Sequence, residues 1–291
     1  MPRKPKSKSP TGDGNGASSV SAARKPHRDV GDCEFPPHLL RDRRRQNDQA
    51  PEEVDVETLV PNAVFVARDA ISSEECRMWI DYAEGGMIGD GGWDKVSHPA
   101  TKWIAHRECG RIQRSDWDMS HRLFRRIEGI VRRISPQLNI ADEAALLSNL
   151  VNVRSRGGVE KSGGPPPRKK YRPVTCNPNL RLYKYTKGQW FGRHVDESNE
   201  IDFPPQNSGD LVVDGPLSAV DARDGRLRTE ITVLFYLSSC RGGATRFHLP
   251  QGRKSSVAFV PEEGAVLLHV HGDHCLEHEA EPVLEGVKYG E

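Results

Sequence analysis

His194 and Asp196 stand two residues apart, separated only by Val195. Successive side chains of a β-strand point to opposite faces. An imidazole at i and a carboxylate at i+2 therefore share one face, with the valine turned to the other. Such a pair can grip one metal ion from a single strand. A third ligand must come from a different strand, and His278, far along the chain, is the candidate. The pattern demands strands that are distant in sequence but adjacent in space.

The H-x-D spacing alone is weak, because three such triplets occur in a chain with 11 histidines: His27/Asp29, His194/Asp196 and His271/Asp273. The first lies in a basic, proline-containing stretch and is noise. The third belongs to a cluster of His269, His271, Asp273 and His274 and is the competitor. Context favours the second. Tyr183 to Ser198 reads as a strand, a Gly188-marked turn and a strand. Ile231 to Leu237 is a continuous apolar run, as expected of a buried strand. Gly242-Gly243 marks a tight turn into Thr245-Arg-Phe247, and Gly264 to His269 is a further strand. Two imidazoles and one carboxylate leave three neighbouring positions open on a six-coordinate ion, the arrangement that non-haem Fe(II) oxygenases use.

Five motifs follow one another in order: Tyr185/Gly188/Gln189, His194/Asp196, the Gly242 to Phe247 turn, His278-Glu-Ala-Glu-Pro-Val283, and Gly286-Val-Lys288-Tyr289. Together they resemble the prolyl 4-hydroxylase type of 2-oxoglutarate- and Fe(II)-dependent dioxygenase, over roughly residues 62–291. The segments Arg107 to Arg111 and Asn177 to Arg181 resemble it more weakly. The resemblance implies that His194, Asp196 and His278 hold Fe(II) and carry the catalysis. It implies that Lys288 pairs with the distal carboxylate of 2-oxoglutarate, for which a compact ammonium is suited. Tyr185 and Thr245 would hydrogen-bond the same cosubstrate, O2 would be the other, and ascorbate would keep the metal ferrous. The family usually continues past the lysine with a barrel-closing strand. Only Tyr289-Gly290-Glu291 follow here, so a short last strand is expected.

Composition sets the boundaries. Residues 1–55 are rich in Pro, Gly, Ser and charge and are expected to be a disordered basic tail. The tail is read as solvated; a nuclear address or a nucleic-acid contact is its alternative role. Residues 56–291 form the expected dioxygenase domain. It divides into a helical support region at 56–153, a Pro/Gly-rich loop at 154–173 and a jelly-roll core at 174–291. Ser72 to Glu75 is a capping box opening a helix to about Glu84. Met119, Leu123, Phe124, Ile127, Ile130, Val131 and Ile134 recur at helical spacing after a cap at Ser115 to Asp118. A third helix is expected over about Ala141 to Leu150. The 154–173 loop is read as a lid or a surface insertion, and a second break at Ser198 to Arg228 as flanking the iron site. No segment is apolar enough to span a membrane or serve as a secretory signal. The six cysteines, without a C-x-x-C pair, are expected to be free thiols in a cytoplasmic or nuclear protein.

The expected fold is mainly β with flanking helices, a double-stranded β-helix or jelly roll. The expected reaction hydroxylates a peptidyl, prolyl substrate and releases succinate and CO2. A net charge of +1 gives no reason to expect a polyanion partner for the whole chain. Two alternatives stay open: a degenerate metal-binding or interaction module, and a dioxygenase of the same fold acting on nucleic acid. The sequence leaves oligomeric state open. His269, His271 and His274 are expected to be exposed or to stand behind the ligands, and Trp190 and Phe191 to be pocket wall or core.

Overall fold

The structure is a computed structural model that describes residues 35–41, 55–85, 92–134, 150–153, 173–202, 226–250 and 255–290. In chain order these form β1 (Val56–Val60), β2 (Val64–Ala67), α1 (Ser73–Glu84), β3 (Asp94–His98), β4 (Arg107–Ser115), α2 (Trp117–Ile134), β5 (Leu150–Val153) and β6 (Pro173–Cys176). They continue with β7 (Asn179–Tyr185), β8 (Phe191–His194), β9 (Glu200–Asp202), β10 (Arg226–Thr229), β11 (Ile231–Phe235) and β12 (Arg241–Gly242). The last are β13 (Thr245–His248), β14 (Ser256–Phe259), β15 (Val266–Val270), β16 (His278–Ala280), β17 (Val283–Glu285) and β18 (Lys288–Gly290).

Two antiparallel sheets build the core. One is eight-stranded, in the order β14-β13-β16-β8-β4-β7-β18, with β3 paired to β4. The other runs β1-β2-β15-β11. Their facing side chains meet: Phe247 packs edge-on to His269, and Tyr236 bonds Thr245. At one side the sheets join directly, because Tyr236 bridges Gly290 and Leu237 N–H donates to the Tyr289 carbonyl. The short last strand therefore pairs with β7 on one side and meets the end of β11 on the other. This curled pair of sheets is the double-stranded β-helix that the sequence leads one to expect.

The helices cover the outer face for the reasons written in their sequences. Ser72 and Glu75 exchange the two hydrogen bonds of a capping box at the start of α1. At α2, Asp116 caps the first turn by accepting from the Met119 N–H at 2.8 Å. All seven apolar residues of its expected stripe are buried, and they pack in one cluster with Trp79, Ile112, Leu182, Phe235 and Leu268. Beneath them lies a buried ion pair. Arg126 donates to both Glu75 oxygens, at 2.7 and 3.0 Å, and to the Arg41 carbonyl at 2.8 Å.

Four expectations change. Residues 35–41 fall inside the expected tail, yet Phe35, Leu39 and Leu40 are buried, and Phe35 packs edge-on to Trp79 at 5.1 Å. A short 3-10 turn at Pro37–Leu39 carries them in, and Asp116 Oδ2 fixes the Phe35 N–H at 2.7 Å. The averaged composition of residues 1–55 hides this apolar patch. The rest of that span, Asp55 apart, lies outside the described residues. Of the expected third helix, residues 141–149 also lie outside, and Leu150 opens a strand instead. The break at 198–228 contains β9 and β10, which join β5 and β6 in a further sheet of order β6-β5-β10-β9. The Pro/Gly loop at 154–172 lies outside the described residues, and Pro173 belongs to β6. The five described cysteines are free thiols, as expected. No helix among the described residues is long and apolar enough to cross a membrane.

Candidate metal centre and anion pocket

Strand register brings the first two expected ligands together. In the β8–β16 ladder, His194 and His278 are direct partners, and their rings lie 4.2 Å apart. Asp196 stands just past the end of β8. The alternation continues there: Val195 is 53% exposed, while His194 and Asp196 turn inward. His194 Nε2 lies 3.6 Å from Asp196 Oδ1, and His278 Nε2 lies 3.7 Å from Asp196 Oδ2. The donor atoms of these three residues all fall within 4.8 Å of one another.

The donor chemistry fits a divalent metal ion. His194 Nδ1 faces the Gly192 carbonyl at 2.8 Å, and His278 Nδ1 faces the Leu276 carbonyl at 2.9 Å. Each Nδ1 then carries the hydrogen, and each Nε2 presents a lone pair to the shared space, the usual arrangement of a ligating histidine. Burial, joined by the neighbouring His278, pushes His194 down to about 4, so it is neutral near pH 7. Burial opposes ionisation of Asp196, but the imidazoles of His269 and His278 and the Thr232 hydroxyl outweigh it. They hold the carboxyl well below the usual carboxylate range. Donors about 2.1 Å from an ion lie roughly 3 Å apart when adjacent, so small side-chain shifts would close the site.

The competing triplet does not assemble. Asp273 is exposed, and His271 is buried behind Thr232, whose hydroxyl contacts His271 Nδ1 at 3.1 Å and donates to Asp196 Oδ2 at 2.7 Å. His274 is exposed, as expected. His269 is not: it is 1% exposed, and its Nε2 lies 3.5 Å from Asp196 Oδ2. A second cluster, His269, Cys275 and His278, also gathers. Cys275 approaches His278 on the Nδ1 side, at 3.9 Å, and burial pushes its thiol up to about 11.

A cavity of about 690 Å³ opens beside these groups, and its walls include all six expected site residues. At one end Lys288 is buried. Its Nζ donates to the Gly243 carbonyl at 2.8 Å and to Thr245 Oγ1 at 3.4 Å. No carboxylate among the described residues lies within ion-pair distance of it. Burial depresses Lys288 to about 8. The close approach needs glycine at 243: its φ is +65°, and an added Cβ would meet Lys288 Cδ at 3.4 Å and Cys240 Sγ at 3.2 Å. Tyr185 is the register partner of Lys288, and its ring lies 5.9 Å from Nζ. Its hydroxyl accepts from Arg107 at 3.4 Å. Trp190 stacks on His106 and Phe191 on His194; of the two, Phe191 lines the cavity.

Three cavity residues escape the motif reading. Thr232 holds Asp196. Tyr236 bonds Thr245 Oγ1 at 2.8 Å and lies 5.4 Å from Lys288 Nζ. Arg107 lies between the Tyr183 and Phe191 rings, 4.3 and 4.1 Å from their centroids. A signal for the first two was present: Thr232 and Tyr236 stand at even spacing in the apolar run of β11 and the residue after it, and the whole stretch 232–236 lines the cavity.

No family model matches the chain, and no curated protein matches it. Solved structures do. A viral collagen prolyl hydroxylase from Paramecium bursaria Chlorella virus-1, in its 2OG complex, aligns at 15% identity and a TM-score of 0.40, over 78% of this chain and 92% of that one. A Trichoplax adhaerens prolyl hydroxylase, in complex with a hypoxia inducible factor peptide fragment, aligns at 14% identity and 0.41, over 79% and 81%. The structure of OsALKBH1 aligns at 11% identity and 0.41, over 81% and 97%. What the site can do follows from its own atoms.

Proposed function

We propose that this protein is an Fe(II)- and 2-oxoglutarate-dependent dioxygenase that hydroxylates a peptidyl substrate, with proline as the target residue. The observation that carries the reading is a pairing within one cavity. At one side, two lone-pair imidazoles and an ionised carboxylate converge. At the other, a buried ammonium has no described carboxylate within ion-pair distance. A dicarboxylate with a keto group bridges two such features, one end toward the metal ligands and the other toward Lys288.

His194, Asp196 and His278 would hold the iron, and Thr232 would keep the Asp196 carboxylate turned. Lys288 and Thr245 would take the distal carboxylate, with Tyr236 orienting the Thr245 hydroxyl. When bound, iron and the keto acid supply an O2-dependent oxidation of a C–H bond, with release of succinate and CO2. Phe191 and Tyr185 wall the cavity and limit water at the reacting centre. Ascorbate serves as the reductant that keeps the metal ferrous. Substrate docks at the mouth, where the cavity wall includes Trp103, Ile104 and Val195, exposed by 83%, 54% and 53%. An apolar rim of that kind suits an extended peptide better than a phosphate backbone.

The test is succinate formation from 2-oxoglutarate with Fe(II) and O2, alongside a mass gain of one oxygen on proline-containing peptides. His194→Ala should lose iron and turnover together, and His271→Ala should keep both. Turnover surviving in His194→Ala would remove the metal assignment. Succinate formed without any peptide oxidation, but with oxidation of a nucleic acid, would move the substrate to that class.

A further inference from the structure

His269 has no place in the three-ligand centre, yet it is built into it. Its side chain is buried, at 1% exposure, and it reaches the site from β15, in the sheet opposite the one that carries His194 and His278. Its ring stands edge-on to His278, with centroids 4.5 Å apart, and edge-on to Phe247 at 5.2 Å. Its Nδ1 faces the Val270 carbonyl at 3.2 Å, which puts the hydrogen on Nδ1 and the lone pair on Nε2. That Nε2 is buried and has no hydrogen-bond partner among the described residues. The polar atom it faces, 3.5 Å away, is Asp196 Oδ2, an acceptor that already receives the Thr232 hydroxyl.

A bare imidazole nitrogen and a carboxylate oxygen facing each other in a buried space lack a positive centre between them. An orphaned polar atom costs free energy, so its persistence calls for a ligand. His194 and His278 use the same device: Nδ1–H on a backbone carbonyl, Nε2 toward Asp196. We infer that His269 is a fourth protein donor to the ion held by His194, Asp196 and His278, so that the resting centre has three imidazoles and one carboxylate.

This rests on the metal-centre reading above and adds a consequence to it. Four protein donors leave two positions on a six-coordinate ion. A bidentate keto acid fills both. A further ligand then finds room only if His269 leaves, so this residue would gate the step that follows cosubstrate binding.

The probe is Co(II) alone, added to the full chain, with paramagnetic proton NMR and visible absorption as readouts. Each ligating imidazole keeps its Nδ1–H on a carbonyl. The wild-type protein should therefore show three strongly shifted, solvent-exchangeable N–H resonances. His269→Phe, which fits beside Phe247, should show two and bind Co(II) at least about tenfold more weakly, the scale seen even for outer partners of metal ligands. Two resonances in the wild type, or unchanged affinity and spectrum in His269→Phe, would overturn the inference without any reliance on the variant's activity. A near-ultraviolet thiolate band that vanishes in Cys275→Ser would also overturn it, by placing the ion at His269, Cys275 and His278. Adding 2-oxoglutarate should change the visible spectrum and leave the wild-type count at three, because the two remaining positions take the keto acid. A spectrum that 2-oxoglutarate does not change, with the count at three, upholds His269 as a donor and instead removes the dioxygenase reading.

Discussion

Two buried cations in this protein have opposite surroundings. Arg126, under the helices, meets both oxygens of Glu75 and the Arg41 carbonyl. Lys288, at the end of the cavity, meets one carbonyl and one hydroxyl, with no carboxylate among the described residues within ion-pair distance. Burial opposes the charge of Glu75, but its bonds from Arg126, the Ser72 backbone and Arg41 outweigh that and hold it at about 2. Burial dominates at Lys288 and pulls it down to about 8. A satisfied buried charge is part of the scaffold. A buried charge without a counter-charge lowers stability until an anion meets it.

The widest separation comes from cutting the scaffold. Residues 35–41 lie against the Glu75–Arg126 pair and add Phe35, Leu39 and Leu40 to the core. Burying three such side chains contributes roughly 5–9 kcal/mol, comparable to a domain's whole stability. A chain beginning at Glu57 should therefore lose cooperative unfolding, whereas one beginning at Glu34 should keep it. Cooperative urea unfolding of the shorter chain at wild-type midpoint would show that the segment is dispensable.

Next comes the pair itself. Glu75→Ala strands Arg126 and should cost about 3–5 kcal/mol in urea denaturation, with Co(II) binding unchanged. The pH dependence carries the sign. Glu75 has a lower value folded, about 2, than its ordinary 4.5, so its contribution is present above pH 4.5 and is lost as pH falls toward 2. Lys288 gives the same slope at higher pH, but there the buried charge is a cost that deprotonation removes. It is lower folded, about 8, than its ordinary 10.5, so the unfolded chain binds more protons between those values. Stability of the empty protein should rise through that window. Wild-type and Lys288→Met proteins compared from pH 7 to 11 should converge, and a gap that widens would contradict the depressed lysine.

At Lys288, loss of charge should injure binding and spare the fold. Lys288→Ala should weaken the 2-oxoglutarate dependence of succinate formation by roughly ten- to a thousandfold, or about 1.4–4 kcal/mol. Iron content should hold. An unchanged dependence would place the anion elsewhere in the cavity, with Arg107 the next cation to examine.

The two regions were not equally legible in the sequence. Helix α2 and the capping box of α1 were plain, because period, cap and stripe are local signals. The shared face of His194 and Asp196 was legible because alternation fixes which residues point the same way. Phe35 to Leu40 was not, since a short apolar patch inside a polar, Pro-rich stretch has no periodicity to announce it. Strands β5, β9 and β10 were hidden for a related reason: each is three or four residues long and is defined by partners far away in sequence. His269 looked like a surplus histidine. Only the packing of β15 against β8 and β16 shows that its nitrogen is aimed at Asp196.

The smallest effect tests which region Thr245 belongs to. Its hydroxyl is buried at 3% exposure and touches both Tyr236 Oη, at 2.8 Å, and Lys288 Nζ, at 3.4 Å. Tyr236→Phe keeps the ring and removes one partner. A buried hydrogen bond contributes about 1 kcal/mol, and that much stability should be lost in urea denaturation. If Thr245 serves only to satisfy Tyr236, the loss ends there. If it holds the keto acid beside Lys288, freeing its hydroxyl also loosens the anion. The 2-oxoglutarate dependence should then weaken by a few-fold, well under the effect of Lys288→Ala. A stability loss with no change in cosubstrate dependence would assign Thr245 to the scaffold and leave Lys288 as the anchor without it.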